Sequence, residues 1–274
     1  MSLITLLTDF GDRDAYVGVM KGVMASICAT DATVSWVDLT HRIPPQDVAA
    51  ARFHLQTAWP YFPVGTIHLA VVDPGVGSDR HGVAIQFAGG YLVGPDNGIF
   101  SGILADSPAI AAVMLTNSHY WRVPQPSTTF HGRDIFAPVA AHLAMGVPLG
   151  ELGNAMDPAR LQRLAWPEPT RSPQAGQSGT GEILTGTVQH IDHFGNGITN
   201  LPGDWVQGKT WQVTQVGQPA QTIPGVQTYA AVAAGELAAI VGSHGWVELA
   251  VNQGSAQVEL GLQVGDVIQI YSLG

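Results

Sequence analysis

Residues 3–39 read LITLLTDFGDRDAYVGVMKGVMASICATDATVSWVDL, and their pattern sets the architecture of the first half of the chain. An apolar run at Leu3 to Leu7 is followed by a helical pattern around Tyr16 to Ala29, and then by a second apolar run at Val34 to Leu39. Short apolar runs separated by helix-length segments are typical of βαβ units, whose strands lie parallel in one sheet. The segment therefore predicts an α/β domain with a largely parallel central sheet.

The same alternation continues to residue 165, which we take as the end of the first domain. Strand-like runs and helical patterns follow one another at Pro45 to Trp59 (helix), Thr66 to Val72, Gly82 to Phe87 and Tyr91 to Gly94 (strands), and Ile135 to Met145 (helix).

The composition changes after residue 165. Residues 166–181 are rich in Pro, Gly, Ser and Gln, which predicts a linker. Beyond it, residues 182–274 contain short runs rich in Val, Ile, Thr and Trp that are separated by turn residues, which predicts a smaller all-β domain. These runs are Gly186 to Ile191, Thr210 to Val216, Leu237 to Val241, Trp246 to Val251 and Asp266 to Tyr271.

Composition also limits the classes of partner, cofactor and cellular location that we expect for this protein. The chain carries 21 acidic and 11 basic residues, which argues against nucleic acid as a partner. The single cysteine, Cys28, excludes a disulfide framework, and the ten histidines are scattered, so we predict no metal site and no cofactor. The N-terminus reaches Thr8-Asp9 too early for a signal peptide or membrane span, so we expect a cytoplasmic protein without a membrane partner.

Asp9 is the first candidate site residue, because an acid at the end of a buried strand lies where open α/β sheets bind ligands. Its two oxygens can accept from both hydroxyls of a ribose. The alternative is that Asp9 caps the following helix.

A second strand ends in Asp73, and Arg80 follows after a glycine-containing turn. This spacing can bring a carboxylate and a guanidinium together in a site. An ordinary turn with a surface salt bridge is the alternative.

Two further segments carry polar side chains at turns. His131 stands before a predicted helix, where it can orient or deprotonate a nucleophile, or simply be packed and hydrogen-bonded. Asp192, Phe194 and Asn196 lie in a turn of the β-domain, where they suit an uncharged heteroaromatic ring or an amino-acid head group. A hairpin turn using Gly195-Asn196-Gly197 for positive φ is equally compatible.

Taken together and in order, these segments resemble the S-adenosyl-L-methionine (SAM) hydroxide adenosyltransferase family, relatives of the bacterial fluorinase and chlorinase. The resemblance covers nearly the whole chain. It rests on Thr8-Asp9-Phe10-Gly11 with Lys21-Gly22, Ile43-Pro44-Pro45-Gln46-Asp47-Val48, Val72-Asp73-Pro74-Gly75-Val76-Gly77, Gly94-Pro95-Asp96-Asn97-Gly98, Thr129-Phe130-His131-Gly132-Arg133-Asp134 and Asp192-His193-Phe194-Gly195-Asn196.

The resemblance implies a β-barrel-like C-terminal domain and a homotrimer whose active sites lie at subunit interfaces. It implies that SAM is the substrate and that adenosine is a product. It further implies a catalytic set of Asp73, Arg80 and His131. The implied substrate-binding residues are Asp9, Asp14, Asn97, Asp192, Phe194, Asn196, Ser243 and Asn252.

The same resemblance separates hydrolysis from halogenation. Asp73 stands where the halogenating relatives carry Tyr, and Gly132 stands where the fluorinase has a halide-binding Ser. Because a carboxylate repels halide, we expect water or hydroxide to attack C5′ of the ribose, with Asp73 and His131 accepting from the water and Arg80 orienting the carboxylate. A chlorinase-like, halide-dependent adenosyltransferase and a non-catalytic adenosine- or SAM-binding protein are the alternatives.

Overall fold

The computed structural model describes residues 2–29, 34–173, 182–207, 210–215 and 222–273. The chain divides into two compact units, Met1–Leu164 and Ala165–Gly274. No helix in the described ranges is both long and apolar enough to cross a membrane.

The first unit is an α/β sandwich built on seven strands and four α-helices. In chain order the elements are β1 (Ser2–Thr8), α1 (Tyr16–Ile27), β2 (Val34–Thr40), α2 (Val48–Ala58), β3 (Thr66–Val71), β4 (Gly82–Phe87), β5 (Gly90–Pro95), α3 (Ser101–Asp106), β6 (Ala111–Met114), α4 (Ala137–Ala144) and β7 (Asn154–Met156). A π-helical turn, Gly132–Phe136, leads directly into α4.

The strand order of this sheet is β2-β1-β3-β5-β4-β6-β7. β1 pairs in parallel with both β2 and β3, and β3 pairs in parallel with β5. β4 runs antiparallel to its neighbours β5 and β6, and β7 runs antiparallel to β6, so five of the seven strands point the same way. The predicted α/β class with a largely parallel sheet is confirmed.

Two apolar layers cover the two faces of this sheet. On one face Met20 and Met24 of α1 pack with α4, and on the other Ala51 and Leu55 of α2 pack with α3. β3 is buried at every position, including the polar Thr66 and His68, so both of its faces lie in the core. Helices on both faces leave the ends of the strands as the open part of the sheet.

The second unit is a nearly closed antiparallel barrel. Its elements are β8 (Thr170–Pro173), β9 (Glu182–Ile191), β10 (Gly197–Pro202), β11 (Thr210–Gln215), β12 (Ile223–Pro224), β13 (Leu237–Val241), β14 (Trp246–Val251), α5 (Ala256–Leu260) and β15 (Val267–Leu273). The strand order is β12-β11-β15-β9-β10-β14-β13, and a bridge between Gly225 and Ala239 joins the two edges. The implied barrel-like domain is confirmed.

The expected linker, residues 166–181, includes a strand. β8 pairs antiparallel with β9, so Thr170–Pro173 extends the second sheet. Residues 174–181 lie outside the described residues, as does Val216 at the end of a predicted strand.

Candidate active site

The site is built where two neighbouring parallel strands end. Thr8 of β1 pairs with Val71 of β3, so Asp9 and Asp73 follow these strands at the same edge of the sheet. In the strand order β2-β1-β3, the connection after β1 leads to β2 on one side, and the chain then passes back across β1 to reach β3 on the other side. Such a switch point opens a crevice at the carboxyl ends of the strands. The fold thus brings two carboxylates that are distant in sequence to one crevice.

Asp73, Arg80 and His131 form one hydrogen-bonded group. Arg80 Nε donates to Asp73 Oδ1 at 2.9 Å, and Arg80 Nη2 donates to Asp73 Oδ2. The same Nη2 lies 2.7 Å from His131 Nδ1. The Asp73 and Arg80 side chains are only 6% and 12% exposed. The structure therefore corrects the alternative of a surface salt bridge, since this pair is buried and bidentate.

The hydrogen bond to Arg80 fixes the proton of His131. A guanidinium only donates, so Nδ1 is the acceptor and the neutral imidazole carries its proton on Nε2. Burial lowers the pKa of His131, and the positive charge of Arg80 adds to this effect against the opposing charges of Asp73 and Asp134. At neutral pH His131 is therefore an uncharged ring with an Nε2–H donor.

A glycine lets the two halves of this group approach each other. Gly77 has φ +80°, and a Cβ at this position would lie 2.5 Å from the carbonyl oxygen of Thr128. The turn between Asp73 and Arg80 thus packs backbone to backbone against the segment that leads to His131.

Asp134 also stabilises the segment that leads to His131. Its buried carboxylate accepts from Arg122 Nε at 2.6 Å, from Arg133 and from the backbone N–H of Ser127. Burial alone would raise the pKa of Asp134, but the hydrogen bonds from Arg133 and Arg122 outweigh it and hold the pKa far below its usual value. Asp134 is thus a permanent anion that closes residues 122–134 into a loop, and His131 lies in this loop directly before the π-helical turn.

Asp9 and Asp73 open into one cavity of about 590 Å³, a volume in the range typical of small-molecule sites. The lining residues are Asp9, Phe10, Tyr16, Pro45, Gln46, Val71, Asp73, Val76, Thr129, Phe130, His131 and Gly132. Arg80 is not among them and acts through Asp73 and His131.

One wall of the cavity is aromatic. The rings of Phe10, Tyr16 and Phe130 pack edge to face or tilted, with centroids 5.3–5.8 Å apart. Gly132 lies against this wall, and a Cβ there would meet Phe130 and Met20 at 3.3 Å. Sequence reasoning missed Tyr16, Pro45 and Gln46 as lining residues. Pro45 and Gln46 stand in a segment shared with the family, but none of the three carries a chemical signal of its own.

Asp9 does not cap the following helix, so the capping alternative is corrected. The N-cap of α1 is Ala15, which makes no side-chain cap. Asp9 Oδ2 instead accepts from the backbone N–H of Gln46 at 2.8 Å, and Gln46 has a positive φ of 68°. This bond joins the end of β1 to the loop before α2, and it occupies one of the two carboxylate oxygens.

Asp14 and Asn97 are two expected binding residues that the fold does not bring to this cavity. Asp14 is exposed on the loop before α1. Asn97 donates from Nδ2 to the carbonyl of Val72 at 2.9 Å and accepts at Oδ1 from Ile99 N–H at 3.2 Å. Its side chain therefore fixes the backbone just before Asp73.

In the second unit, Asp192, Phe194 and Asn196 form the loop between β9 and β10. Asp192 Oδ1 accepts from the backbone N–H groups of Phe194 and Asn196, at 2.9 and 2.8 Å, and Oδ2 accepts from Asn196 Nδ2 at 3.0 Å. The hairpin alternative is thus present, with positive φ at Gly195 but not at Gly197. Phe194 is 73% exposed at the tip of this loop.

The last two expected residues lie at the two ends of β14. Ser243 is exposed between β13 and β14. Asn252 donates from Nδ2 to the carbonyl of Val232 at 2.8 Å, which ties the end of β14 to the loop before β13. Ser243 thus presents its hydroxyl to solvent, whereas the Asn252 amide has a structural partner.

In the described part of the chain, no group of three or more His, Cys, Asp or Glu side chains is arranged to hold a metal ion. The expectations of no metal and no cofactor stay predictions.

Comparison with known proteins identifies the family of the chain. Residues 4–153 match the family model described as the SAM hydroxide adenosyltransferase N-terminal domain, and residues 186–269 match that of its C-terminal domain. The chain is similar to a protein named (R)-S-adenosyl-L-methionine hydrolase from Salinispora tropica, with 42% identity over 97% of both chains. A protein of the same name from Thermus thermophilus is 40% identical over 98% of this chain and 100% of its own.

More distant similarity reaches a fluorinase. A protein of that name from Actinopolyspora mzabensis is 27% identical over 98% of this chain and 96% of its own. A crystal structure described as an uncharacterized conserved protein from Thermotoga maritima superposes with a TM-score of 0.86 at 33% identity, over 97% of this chain and 99% of its own. The resemblance found in the sequence is confirmed, and the chain belongs to the SAM hydroxide adenosyltransferase family.

Proposed function

We propose that this protein hydrolyses S-adenosyl-L-methionine to adenosine and L-methionine by in-line attack of water or hydroxide on C5′ of the ribose. The observation that carries the proposal is the buried Asp73–Arg80–His131 group at a cavity whose other acid is Asp9. The names of the hydrolase relatives, at up to 42% identity over nearly the full length, support the same reaction.

The charges of the cavity favour this substrate. Its lining contains two carboxylates, Asp9 and Asp73, and no lysine or arginine. Arg80 compensates the charge of Asp73 from behind the lining, which leaves Asp9 as the unpaired carboxylate, so a cationic sulfonium is attracted to the wall while a halide ion is repelled by it. The aromatic rings of Phe10, Tyr16 and Phe130 also suit a cation beside a π-face. Both effects favour a sulfonium nucleoside with water as its nucleophile.

In the reaction the water oxygen forms a bond to C5′ while the C5′–S bond breaks and its electron pair goes to sulfur. Sulfur leaves as the neutral thioether of methionine, and the proton of the attacking water goes to a base. Water has a pKa of about 15.7, so early deprotonation by a carboxylate is unfavourable. Once the C–O bond forms, the oxygen becomes strongly acidic, and a carboxylate can then take the proton. With preformed hydroxide no transfer is needed.

The hydrogen bonds divide these roles between the residues. Asp73 is the acceptor, since its oxygens keep lone pairs beyond those that Arg80 occupies. His131, with Nδ1 engaged by Arg80, offers Nε2–H and so orients the nucleophile as a donor. This differs from the role of acceptor that we expected from the sequence.

We further infer that Asp9 holds the ribose hydroxyls, and that Asp192, Phe194, Asn196, Ser243 and Asn252 bind the adenine and methionine parts from a neighbouring subunit of a homotrimer. Phe194 is 73% exposed, so its aromatic ring is accessible to a ligand from outside the subunit, as this assignment requires. Asn97 then supports the site from outside the cavity by holding the backbone before Asp73, and Asp14 stays an expected binding residue.

The test is to incubate the protein with each sulfonium epimer of SAM, with and without chloride, and to identify the nucleoside by chromatography and mass. Because the relatives are named for the (R) epimer, we expect adenosine to form faster from that epimer, and equally in both buffers. A 5′-halogenated nucleoside would replace the proposal with halide transfer. Retention of adenosine without turnover would indicate a binding protein.

A further inference from the structure

Thr8 is the last residue of β1, and its fully buried hydroxyl organises the turn that follows. Its Oγ1 accepts from the backbone N–H of Phe10 at 3.2 Å and lies 2.9 Å from His41 Nδ1. The backbone N–H of Gly11 donates to the carbonyl of His41 at 2.7 Å. His41 thus contacts both ends of the turn Thr8–Gly11 that carries Asp9.

The other side of the His41 ring faces a charged pair. His41 Nε2 lies 3.1 Å from Asp38 Oδ1, and Lys21 Nζ donates to Asp38 Oδ2 at 2.6 Å. This contact of His41 Nε2 with Asp38 is of ion-pair distance but is not aligned as a hydrogen bond, and either Thr8 Oγ1 or His41 Nδ1 can donate in the bond between them, depending on the tautomer. Lys21, Asp38, His41 and Thr8 therefore form a continuous series of polar contacts, and it ends beside Asp9.

Asp9 is thereby fixed from two directions. Its chain neighbours Thr8 and Phe10 are held by the His41 series, and its Oδ2 is held by the backbone of Gln46. Recognition of a diol by one carboxylate requires placement to within about half an ångström. A free Asp9 side chain on a loose turn would not meet this requirement.

We propose that Thr8 and His41, supported by Asp38 and Lys21, are positioning residues for Asp9, and that they confer selectivity for a ribose with both hydroxyls over a deoxyribose. The proposal rests on the proposed function, in which Asp9 binds the ribose. Lys21 is the outermost residue of this series. It belongs to a segment shared with the family, and the sequence alone suggested no chemical role for it.

The experiment measures, by calorimetry on the full chain, the dissociation constants of adenosine and 2′-deoxyadenosine. In the wild type we expect deoxyadenosine to bind about tenfold more weakly, since it lacks one hydroxyl for the carboxylate. Thr8→Val removes the hydroxyl at nearly constant shape and should bring this ratio close to one. Thr8→Ser restores the hydroxyl and should restore the ratio to within about twofold of the wild type.

The chain offers a matched control on the same strand. Thr5 is also fully buried, and its Oγ1 lies 2.9 Å from the Nδ1 of the buried His68, away from the turn that carries Asp9. Thr5→Val removes the same kind of bond and should lower the melting temperature while keeping the ribose selectivity.

An unchanged ratio in Thr8→Val would overturn the proposal, and so would an equal loss of selectivity in Thr5→Val, since that would indicate general loosening of β1. If Thr8→Val does not fold, Lys21→Met at the partly exposed end of the series provides the second test, with an expected drop of about threefold in the ratio. A wild type without ribose selectivity would overturn the role of Asp9 and this proposal together, while its turnover of SAM would still test hydrolysis separately.

Discussion

At the scale of single residues, Asp73 can still accept a hydrogen bond from a ligand, whereas His131 can still donate one. Arg80 donates to both, so it fixes Asp73 as an acceptor and His131 as an Nε2–H donor. A single guanidinium thus sets the orientation of both groups and the position of the proton on His131. The roles follow from the direction of each bond rather than from the residue types alone.

Asp73→Asn tests the acceptor role directly. The amide keeps a hydrogen bond to Arg80 but cannot take the proton of the attacking water, so we expect kcat to fall by about 10²–10⁴-fold with adenosine affinity changed by less than about fivefold. Steady-state kinetics and calorimetry measure the two effects. Asp79→Asn, at the exposed neighbour of Arg80, is the matched control and should keep kcat within about twofold. Equal kcat for both variants would remove Asp73 from the mechanism.

His68 makes the stability of the first unit depend on pH. Burial lowers its pKa to about 4, whereas an unfolded histidine titrates near 6.5. Between these values the unfolded chain binds the proton and the folded chain does not, so stability is full above about pH 6.5 and falls as the pH drops toward 4. The loss attributable to His68 is about 3 kcal/mol.

His68→Asn keeps a polar atom near the Thr5 hydroxyl but cannot titrate. Denaturant unfolding between pH 7 and pH 4 should therefore show a smaller decrease in stability for this variant than for the wild type. Some decrease should remain, because burial also lowers the pKa of His54 and His142. His193→Asn, at an exposed position, is the control, and a wild-type pH dependence in His68→Asn would contradict the prediction.

At the scale of elements, the site depends on two loops whose backbones contact each other directly, with no side chain between them. The turn after β3 carries Arg80 and the loop before the π-helical turn carries His131, and Gly77 lies where they touch. π-Helical turns within α-helices are frequent at functional sites, and this one begins directly after His131. The catalytic arrangement therefore depends on backbone contact as much as on its side chains.

Gly77→Ala tests that contact. It combines a positive φ with a Cβ placed 2.5 Å from the Thr128 carbonyl oxygen, so we expect it to destabilise the protein by about 2–4 kcal/mol and to lower kcat by at least about tenfold. Gly146→Ala has a similar φ of 87° with open space around the new Cβ, so it should cost only about 1 kcal/mol and leave kcat unchanged. Equal effects of the two variants on kcat would contradict the role of this contact.

At the scale of the whole molecule, the proposed site residues divide between two compact units. Asp9, Asp73 and His131 belong to the first, and Phe194 and Ser243 belong to the second. The proposed homotrimer, in which one subunit completes the site of its neighbour, predicts that two inactive variants can complement each other.

Coexpression of Asp73→Asn with Phe194→Ala tests this prediction at a substrate concentration where each variant alone has little activity. Random assembly leaves about a quarter of the sites with both halves intact, so about a quarter of wild-type activity should return. Asp73→Asn with His131→Ala is the control, because both changes fall in the same unit and no site regains both groups. No recovery in the first pair, or a monomer by light scattering, would contradict a shared site.

The sequence by itself determined the two fold classes and the family, and it singled out Asp9, Asp73 and His131 among the residues that line the cavity. Apolar periodicity is local, so β1, α1, β4, β13 and β14 could be predicted closely, whereas short elements such as β7, β12 and α5 gave too few residues for a pattern. The acidic residues at strand ends could be identified equally well, because an acid directly after an apolar run is evident from the sequence alone.

Only the tertiary structure decided what each side chain does. The pairing of β1 with β3 places Asp9 beside Asp73, and a spacing in sequence cannot state which strands are neighbours. The amides of Asn97 and Asn252 bind backbone carbonyls, and His131 presents a donor rather than an acceptor. The physical reason is that a hydrogen bond depends on the partner across the fold, since every buried polar group must find one.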